Sequence, residues 1–483
     1  TDYIRSVTAP FYLKAEDRRP LRELLWGDRV ETHGPARPDG KVPVSARGIG
    51  GFVPAEDLGG ASLLELYFID VGQGDGVLIR TPDDRHLLVD GGFKREAQPT
   101  GKNAADFVDW KFVHDYDRND IELAAMISSH NDADHYGGLW DLLNVAQSKE
   151  LDASRVTVRQ FFTAGVSWFQ APGKSRFLGR ERKVGTRKFL VDLLSDRTAA
   201  QAWLDAPAGS QRLQGEWAQF IRCVVDHGCP IQRLSDQTGW LPGFQPAPGA
   251  AAIRVLGPVE TSLQGKPALR SLGSESQNTN GNSVLLRLDY GRARILLTGD
   301  LNAASQALIL ERYASTPEEL AADVVKACHH GSDDCSLAFL NAVRAGATVI
   351  SSGDAEGFSH PRPAILAASG VTGHVQVAKD RLLTPLVYST EVSRSYRIGR
   401  VINLLDETGA AMPGAGRLRL QYSETDPGAL RPRTRSRRVL GTDIVSGLIY
   451  GLVNVRTDGN RIICATMNEA GRGWEVREFN SRF

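Results

Sequence analysis

This 483-residue sequence predicts an α/β protein with a small β-rich unit at its N-terminus. Three observations predict it. Short β-type runs broken by Gly, Pro and Asp fill residues 1–60. From residue 62, apolar strand-type runs alternate with segments of helical spacing. Several of those runs end in Asp or His, the polar endings that a site on the edge of a sheet requires.

Composition bounds the class. Hydrophobic residues make up 41% and charged residues 24%, the values of an ordinary soluble globular protein. The formal net charge is +0, so any attraction to nucleic acid or acidic lipid must come from local patches. No apolar stretch approaches the roughly 20 residues that span a bilayer. The segment "TDYIRSVTAPFYLKAEDRRP" has no apolar h-region and does not read as a signal peptide. Cys223, Cys229, Cys328, Cys335 and Cys464 are few, odd in number and without a CxxC pair. That suits a reducing compartment better than a disulfide framework or a zinc knuckle. The expectation is a cytoplasmic protein with no membrane partner.

The elements follow in order. "FYLKA", "LLWGDRVETHG", "KVPVSAR" and "GIGGFVPAEDL" are short β runs. With Trp26-Gly27-Asp28 leading a strand and "GGFVP" closing the set, residues 1–60 resemble a bacterial SH3-like barrel. Such barrels dock onto partners, so a protein partner is expected through this unit; a β-rich cap on the main domain is the equal alternative. "LLELYFIDVG", "GVLIRTP" and "RHLLVDGGF" read as strands with glycine-rich turns. "AADFVDWKFVHDY" is a candidate helix, "IELAAMISSH" a buried strand, and "GGLWDLLNVAQS" has helical spacing. In residues 147–250, "RVTVRQFFTAGVSWF" reads as strand, and "RTAAQAWLDA" and "GEWAQFIRCVVDHG" as helix. Alternation then resumes through "AAIRVLGP", "NSVLLRLDY", "RARILLTGD", "NAASQALILERYA", "ADVVKAC", "LAFLNAVRAG" and "ATVISSG". "LIYGLVNVRTDG" and "NRIICATMN" read as a closing hairpin with Asp458-Gly459 in its turn. An Arg- and Gly-rich insertion fills about 382–445, and no repeat of fixed period is present.

The chemistry concentrates in "SHNDADHYGG", residues 129–138. His130, Asp132, Asp134 and His135 are ligand types for Zn²⁺, Mn²⁺ and Fe²⁺. A plain polar turn would more often use Gly, Asn and Ser. Four other strand ends add to them: Asp90 in "HLLVDGG", Asp300 in "ILLTGDL", His329 and His330 in "VVKACHHGS", and Asp354 and His360 in "VISSGDAEGFSHPRP". Five of the ten histidines (His130, His135, His329, His330 and His360) follow these strand-type runs, where chance would scatter them.

The order DVGQGD, LLVDGG, SHxDxDHxGG, LLTGD, HHGS and SHP resembles the metallo-β-lactamase superfamily, and within it the hydrolase domain of competence-type DNA-uptake proteins. The likeness runs over about 62–370, with the terminal hairpin at 448–466; it does not cover 147–250 or 382–445. It implies an αββα sandwich, the metallo-β-lactamase fold, over 61–483, with insertions at about 147–250 and 382–445. It also implies two divalent metal ions, Zn or Mn. His130 and Asp132 would hold the first, Asp134 and His135 the second, Asp300 would bridge them, and His360 takes the place of the final metal histidine. Asp90 would orient a ligand. Asp75, in "DVGQGD", would shape the floor or touch the site.

Two departures matter. Asp132 stands where the superfamily carries a histidine, and Asn278 or Asn280 in "SQNTNGNS" takes the place of another. A more oxygen-rich site suits harder ions such as Mn²⁺, and one ion could be held tightly with the other recruited by substrate. His227 is a replacement candidate, although a surface or core histidine is the expected reading. His329 and His330 lie on a segment read as extended, so one of them should face the site. Gly331 and Ser332 could offer backbone N–H groups just before a helix, and Lys326 could add charge or snorkel.

A bound divalent ion can lower the pKa of water from 15.7 to about 7. Asp134 would accept its proton, and His330 or His329 would donate to the departing oxygen. Phosphodiester is the first choice of scissile bond, so the expected activity is that of a nuclease or phosphodiesterase on DNA, RNA or a nucleotide. Lys174, Arg176, Arg180, Arg182, Lys183, Arg187 and Lys188 form one basic cluster. Arg431, Arg433, Arg435, Arg437 and Arg438 form another. Either could track a nucleic-acid backbone, with Phe177 and Trp168 stacking on bases. The alternatives are a metallohydrolase of a small ester, lactone or amide, and a non-catalytic binding protein.

Overall fold

In the computed structural model, residues 1–483 are described except 99, 175, 208, 354–359, 391–395, 427–430, 442, 448–451 and 469–472. Asp354 therefore lies outside the described residues.

Two large sheets organise the chain. The first has nine strands in the order Ile231–Arg233, Phe161–Thr163, Ala125–Ser128, His86–Val89, Val77–Arg80, Leu64–Ile69, Leu452–Thr457, Arg461–Asn468 and Gly473–Asn480. The second has seven, in the order Gly239–Trp240, Ala252–Gly257, Leu285–Tyr290, Ala293–Leu297, Val324–Lys326, Ala347–Ile350 and Leu386–Ser389. The period-2 alternation of side chains builds the layers. Leu64, Leu66 and Phe68 join Leu286, Leu288, Ile295 and Val324 in one core between the sheets. Tyr67 and Ile69, on the opposite face, pack with Val108, Leu139 and Phe220 from the outer helices. On the far side of the second sheet, Leu285 and Leu296 pack with Ile309, Phe339 and Val343. The layering is helix, sheet, sheet, helix.

Parallel pairing sets the functional edge. His86–Val89 runs parallel to Ala125–Ser128. In the other sheet Ala293–Leu297, Val324–Lys326 and Ala347–Ile350 are parallel neighbours. Their C-terminal ends therefore emerge on a common edge of each sheet. Val284 N–H donates to Ser129 O at 2.9 Å and ties the two edges together.

The stretch 147–250 is more than a surface loop. It adds two parallel strands to the nine-stranded sheet and the helices Arg197–Leu204 and Gly215–Asp226 to the outer layer. "RERKVGTRKFL" forms a hairpin, Glu181–Val184 with Arg187–Leu190, exposed except at Phe189 and Leu190, where its second strand joins Lys266–Arg270. "RPRTRSRR" is the strand Arg431–Arg438, paired with Arg419–Asp426.

Residues 2–54 form a four-stranded sheet and a separate hairpin around their own core, including Phe11, Leu24, Val44 and Val53. This unit is docked, not tethered. Leu25 and Trp26 pack with Leu63, Ile463 and Ala465. The buried guanidinium of Arg456 reaches Asp28 Oδ1 at 2.9 Å and Trp26 O at 2.6 Å.

Candidate metal centre

The segment "SHNDADHYGG" leaves the strand Ala125–Ser128 and enters the helix Ala133–Leu143, with Asp132 at the N-cap. Asp134 and His135 thus sit in the first helical turn. Two glycines let neighbouring turns approach this helix. A Cβ on Gly138 would lie 2.1 Å from Gly91 O, and one on Gly74 2.0 Å from Asp134 O.

His135 and His330 converge. Their Nε2 atoms lie 3.3 Å apart, and Asp300 Oδ2 is 3.3 Å from the first and 3.0 Å from the second. Each ring is backed by a buried carboxylate. His135 Nδ1 bonds Asp90 Oδ2 at 2.9 Å, and Asp90 Oδ1 accepts from Ser129 N–H at 2.7 Å. His330 Nδ1 faces Asp75 Oδ1 at 3.2 Å, an ion-pair contact without hydrogen-bond alignment. Asp134 stands on the more open side, 3.6 Å from His330 Nε2, and accepts from Gln73 Nε2 at 3.3 Å. Asp75, His135, Asp300 and His330 each offer one ligand atom, all within 4.8 Å of one another.

His130 and Asp132 form a second pair, Nε2 to Oδ2 at 3.9 Å. Ser129 Oγ and Ser283 Oγ flank His130 Nδ1 at 3.0 and 3.2 Å, and Ser283 Oγ also accepts from Asp300 N–H at 3.0 Å. Among the described residues, His130 Nε2 has no hydrogen-bond partner.

Charge explains the titration of these groups. Burial disfavours a charged His330, but Asp300 and Asp75 hold its pKa up at about 9. The same contest raises His135 well above the imidazole range, with Asp300, Asp90 and Asp134 prevailing. Burial and His135 push His130 down. Burial and the neighbouring Asp134 raise Asp132 to about 7. Lys326 pairs with Asp75 and Asp300, which favour its charged form, while Asp90, Asp132 and Asp134 stand beside the imidazoles. The neighbouring carboxylates favour the protonated forms of His135 and His330. The converging N and O donors, together with the buried His130 Nε2 that has no hydrogen-bond partner among the described residues, fit a divalent cation.

Several sequence expectations change. His329 and His330 are not on an extended segment; their φ values are 46° and 52°, in the left-handed region. Both rings therefore turn toward Asp300, whose Oδ2 lies 3.8 Å from His329 Nε2 and 3.0 Å from His330 Nε2. Ser332 is not an N–H donor before a helix. Its N–H bonds His329 O at 2.8 Å, and the next helix starts at Leu337, capped by Ser336. Asn278 is used to hold the turn before its helix, accepting from Leu272 N–H at 2.6 Å; Asn280, 3.3 Å from His329 Nε2, reaches the site. His360 lies at the rim, its ring 5.6 Å from that of His329 and 6.3 Å from that of His330. His227 caps the helix Gly215–Asp226, outside the cluster. Lys326 is buried and ion-paired with Asp75, so it does not snorkel.

Among the nucleic-acid candidates, Trp168 instead braces the loop that carries His130 and Asp132. Its indole N–H donates to Asn131 O at 2.8 Å, and Arg176 covers its ring at 5.5 Å. Its face is thus already occupied. Phe177 packs partly against the outer core, with Lys174 over its ring at 5.0 Å. Arg180 is clamped by Asp192 at 2.7 Å, Arg182 donates to Gln264 at 2.7 Å, and Lys188 pairs with Glu181 at 3.0 Å. Lys183 and Arg187 are exposed on the hairpin.

Sequence reading missed Gln73, Ser129 and Ser283. Hydroxyls and amides are too common to flag, and only the turn geometry brings these three to the ligands.

No protein-family profile matches the chain. Over 98 residues it is 36% identical to the competence protein ComA of Neisseria gonorrhoeae; the match covers 20% of this chain and 14% of that protein. Among solved structures, a mutant of the β-hydroxylase CmlA is similar over 62% of this chain and 48% of its own, at 12% identity and a TM-score of 0.29. At that score nothing about chemistry rests on it.

Proposed function

We propose that the chain is a metal-dependent hydrolase of the metallo-β-lactamase type, acting as a phosphodiesterase or nuclease on DNA or RNA. The observation that carries this reading is the meeting of His135 and His330 Nε2 on Asp300 Oδ2, with carboxylates behind both rings. The likeness to a competence protein supports nucleic acid as the substrate. A bound divalent ion, Zn²⁺ or Mn²⁺, would lower the pKa of water and polarise the scissile phosphoryl group. His135, His330, Asp300 and Asp134 would hold the ion, and His130 with Asp132 would complete a second position. Asp90 orients His135. Asp134, partly open to solvent, takes the proton of the attacking water. His329 is a quarter exposed and lies beside Asn280, so it is the imidazole that donates to the departing oxygen. His330, fully buried between two carboxylates, is better placed as a ligand.

The exposed Lys183 and Arg187, and Arg433, Arg435, Arg437 and Arg438 on the long hairpin, provide positive charge for a phosphate backbone. The N-terminal unit is read as an SH3-like domain over 1–60 and a protein-docking element, and the enzyme as cytoplasmic. No helix among the described residues is long and apolar enough to cross a membrane.

Purified protein with added Mn²⁺ should degrade single- or double-stranded DNA or RNA, and the double variant Asp134→Ala, His135→Ala should not. Activity persisting in that variant would sink the site assignment. Cleavage of a lactone or small ester with no action on nucleic acid would replace the substrate assignment.

A further inference from the structure

We propose that Lys326 is a built-in cation of the centre: it pairs with Asp75 and stands within ion-pair distance of one oxygen of Asp300, so the inner cluster takes one divalent ion, not two. This rests on the metal-centre reading above. It concerns the charge that the chain itself supplies.

Lys326 ends the strand Val324–Lys326 and is 1% exposed. Its ammonium meets one carboxylate and one backbone carbonyl of the centre and lies within ion-pair distance of a second carboxylate. It ion-pairs with Asp75 Oδ2, donates to Gly299 O at 2.9 Å and lies 3.6 Å from Asp300 Oδ1. Thr298 Oγ donates to the Lys326 carbonyl at 2.8 Å and fixes the backbone beneath it.

The consequence falls on the two carboxylates. Asp75 is within ligand reach of the cluster, yet one of its oxygens meets Lys326 and the other meets His330 Nδ1 at 3.2 Å. It is engaged on both sides, as a positioning residue for His330. Asp300 is divided likewise. Oδ1 turns to the lysine, while Oδ2 turns to the two imidazole Nε2 atoms. An aspartate bridging two ions through both oxygens would have to give up the lysine. A second dication against Oδ1 would also meet a buried positive charge, where repulsion is poorly screened. The pair His130 and Asp132, one nitrogen and one carboxylate 3.9 Å apart, is too small a ligand set to hold an ion firmly by itself.

The test counts ions. Native mass spectrometry and a Mn²⁺ titration are run on the full chain and on Lys326→Met, which keeps the unbranched stem, one atom shorter, and removes its charge. The expected result is one tightly held ion in the wild type and two in the variant, because Asp75 and Asp300 Oδ1 are released. Two tight ions in the wild type, or one in a folded Lys326→Met, overturns the proposal. If Lys326→Met does not fold, Asp75→Asn decides. It should still hold one ion, weakened about 10- to 100-fold as for a group behind a ligand; complete loss of binding would make Asp75 a ligand and overturn the proposal. If the wild type takes up no Mn²⁺, the metal-centre reading itself fails, a result distinct from a wrong count.

Discussion

Asp28→Ala should uncouple the N-terminal unit from the sheets. The Asp28 carboxylate accepts from Leu25 N–H at 2.8 Å, meets Arg47 Nη2 at 2.6 Å and meets Arg456 Nη1 at 2.9 Å. Burial alone would push its carboxyl up, but Arg47 and Arg456 hold it well below the usual carboxylate range. Removing it leaves a fully buried guanidinium with Glu65 at 3.8 Å as its remaining carboxylate, and it orphans the Leu25 N–H. Two charge-assisted bonds, each contributing about 1.5–3 kcal/mol, are lost. Asp28 itself no longer has to be desolvated, which offsets part of that. Breaking a buried pair from one side costs about 3–5 kcal/mol, and that is the expected loss. The sign with pH follows from the depressed folded pKa. The contribution is present above the unfolded value of about 4 and is lost as pH falls below it. Equilibrium urea unfolding at pH 7 and pH 3 measures both. A loss under about 1 kcal/mol at pH 7, or a wild-type-to-variant difference that does not shrink at pH 3, would refute the reasoning.

Other expectations are independent of that interface. His86 is buried against Phe112 and Tyr116, ring centroids 4.7 and 5.2 Å away, and burial lowers its pKa to about 3. Below pH 6.5 the unfolded chain takes up a proton that the folded one refuses, so stability falls by about 1.4 kcal/mol per pH unit. His86→Phe should remove about 2 kcal/mol of the loss between pH 6.5 and 5, read from unfolding midpoints; an unchanged acid slope would refute it. Gly138→Ala forces a Cβ to within 2.1 Å of Gly91 O. It should cost about 1–3 kcal/mol and weaken Mn²⁺ binding, since the helix carrying Asp134 and His135 must back away; a variant with wild-type stability and metal affinity would show that this approach does not matter. Asp90→Asn should weaken the metal about 10- to 100-fold by calorimetry with little change in fold by circular dichroism. Equal affinity would mean that Asp90 does not position His135.

Much of the buried Asp/His cluster was legible because carboxylates and imidazoles placed directly after apolar strands stand out in the sequence. Asp90, His130, Asp300 and the His329-His330 pair each follow an apolar run, and parallel pairing brings those ends to one edge. The layers were legible for the same reason: strands such as Leu64–Ile69 serve two cores and read as continuous apolar runs. Other features were not. Nothing in two adjacent non-glycine residues signals φ near +50°, so both histidines facing the site could not be anticipated. The helix Glu275–Gly281 has no apolar stripe; its only sequence signal is the capping box of Ser274 and Gln277. Without that helix, Asn278 and Asn280 look equivalent. Lys326 ends an apolar strand, and only its contacts with Asp75 and Gly299 O show that its charge stays inside.

The central claim is that Asp300 joins His135 and His330 around a divalent cation. Calorimetric titration of Mn²⁺ into metal-free wild type and Asp300→Ala, with folding checked by circular dichroism, tests it most directly. Saturable binding in the wild type and a loss of at least about 100-fold in folded Asp300→Ala are expected. Equal affinity in the two proteins would contradict the account.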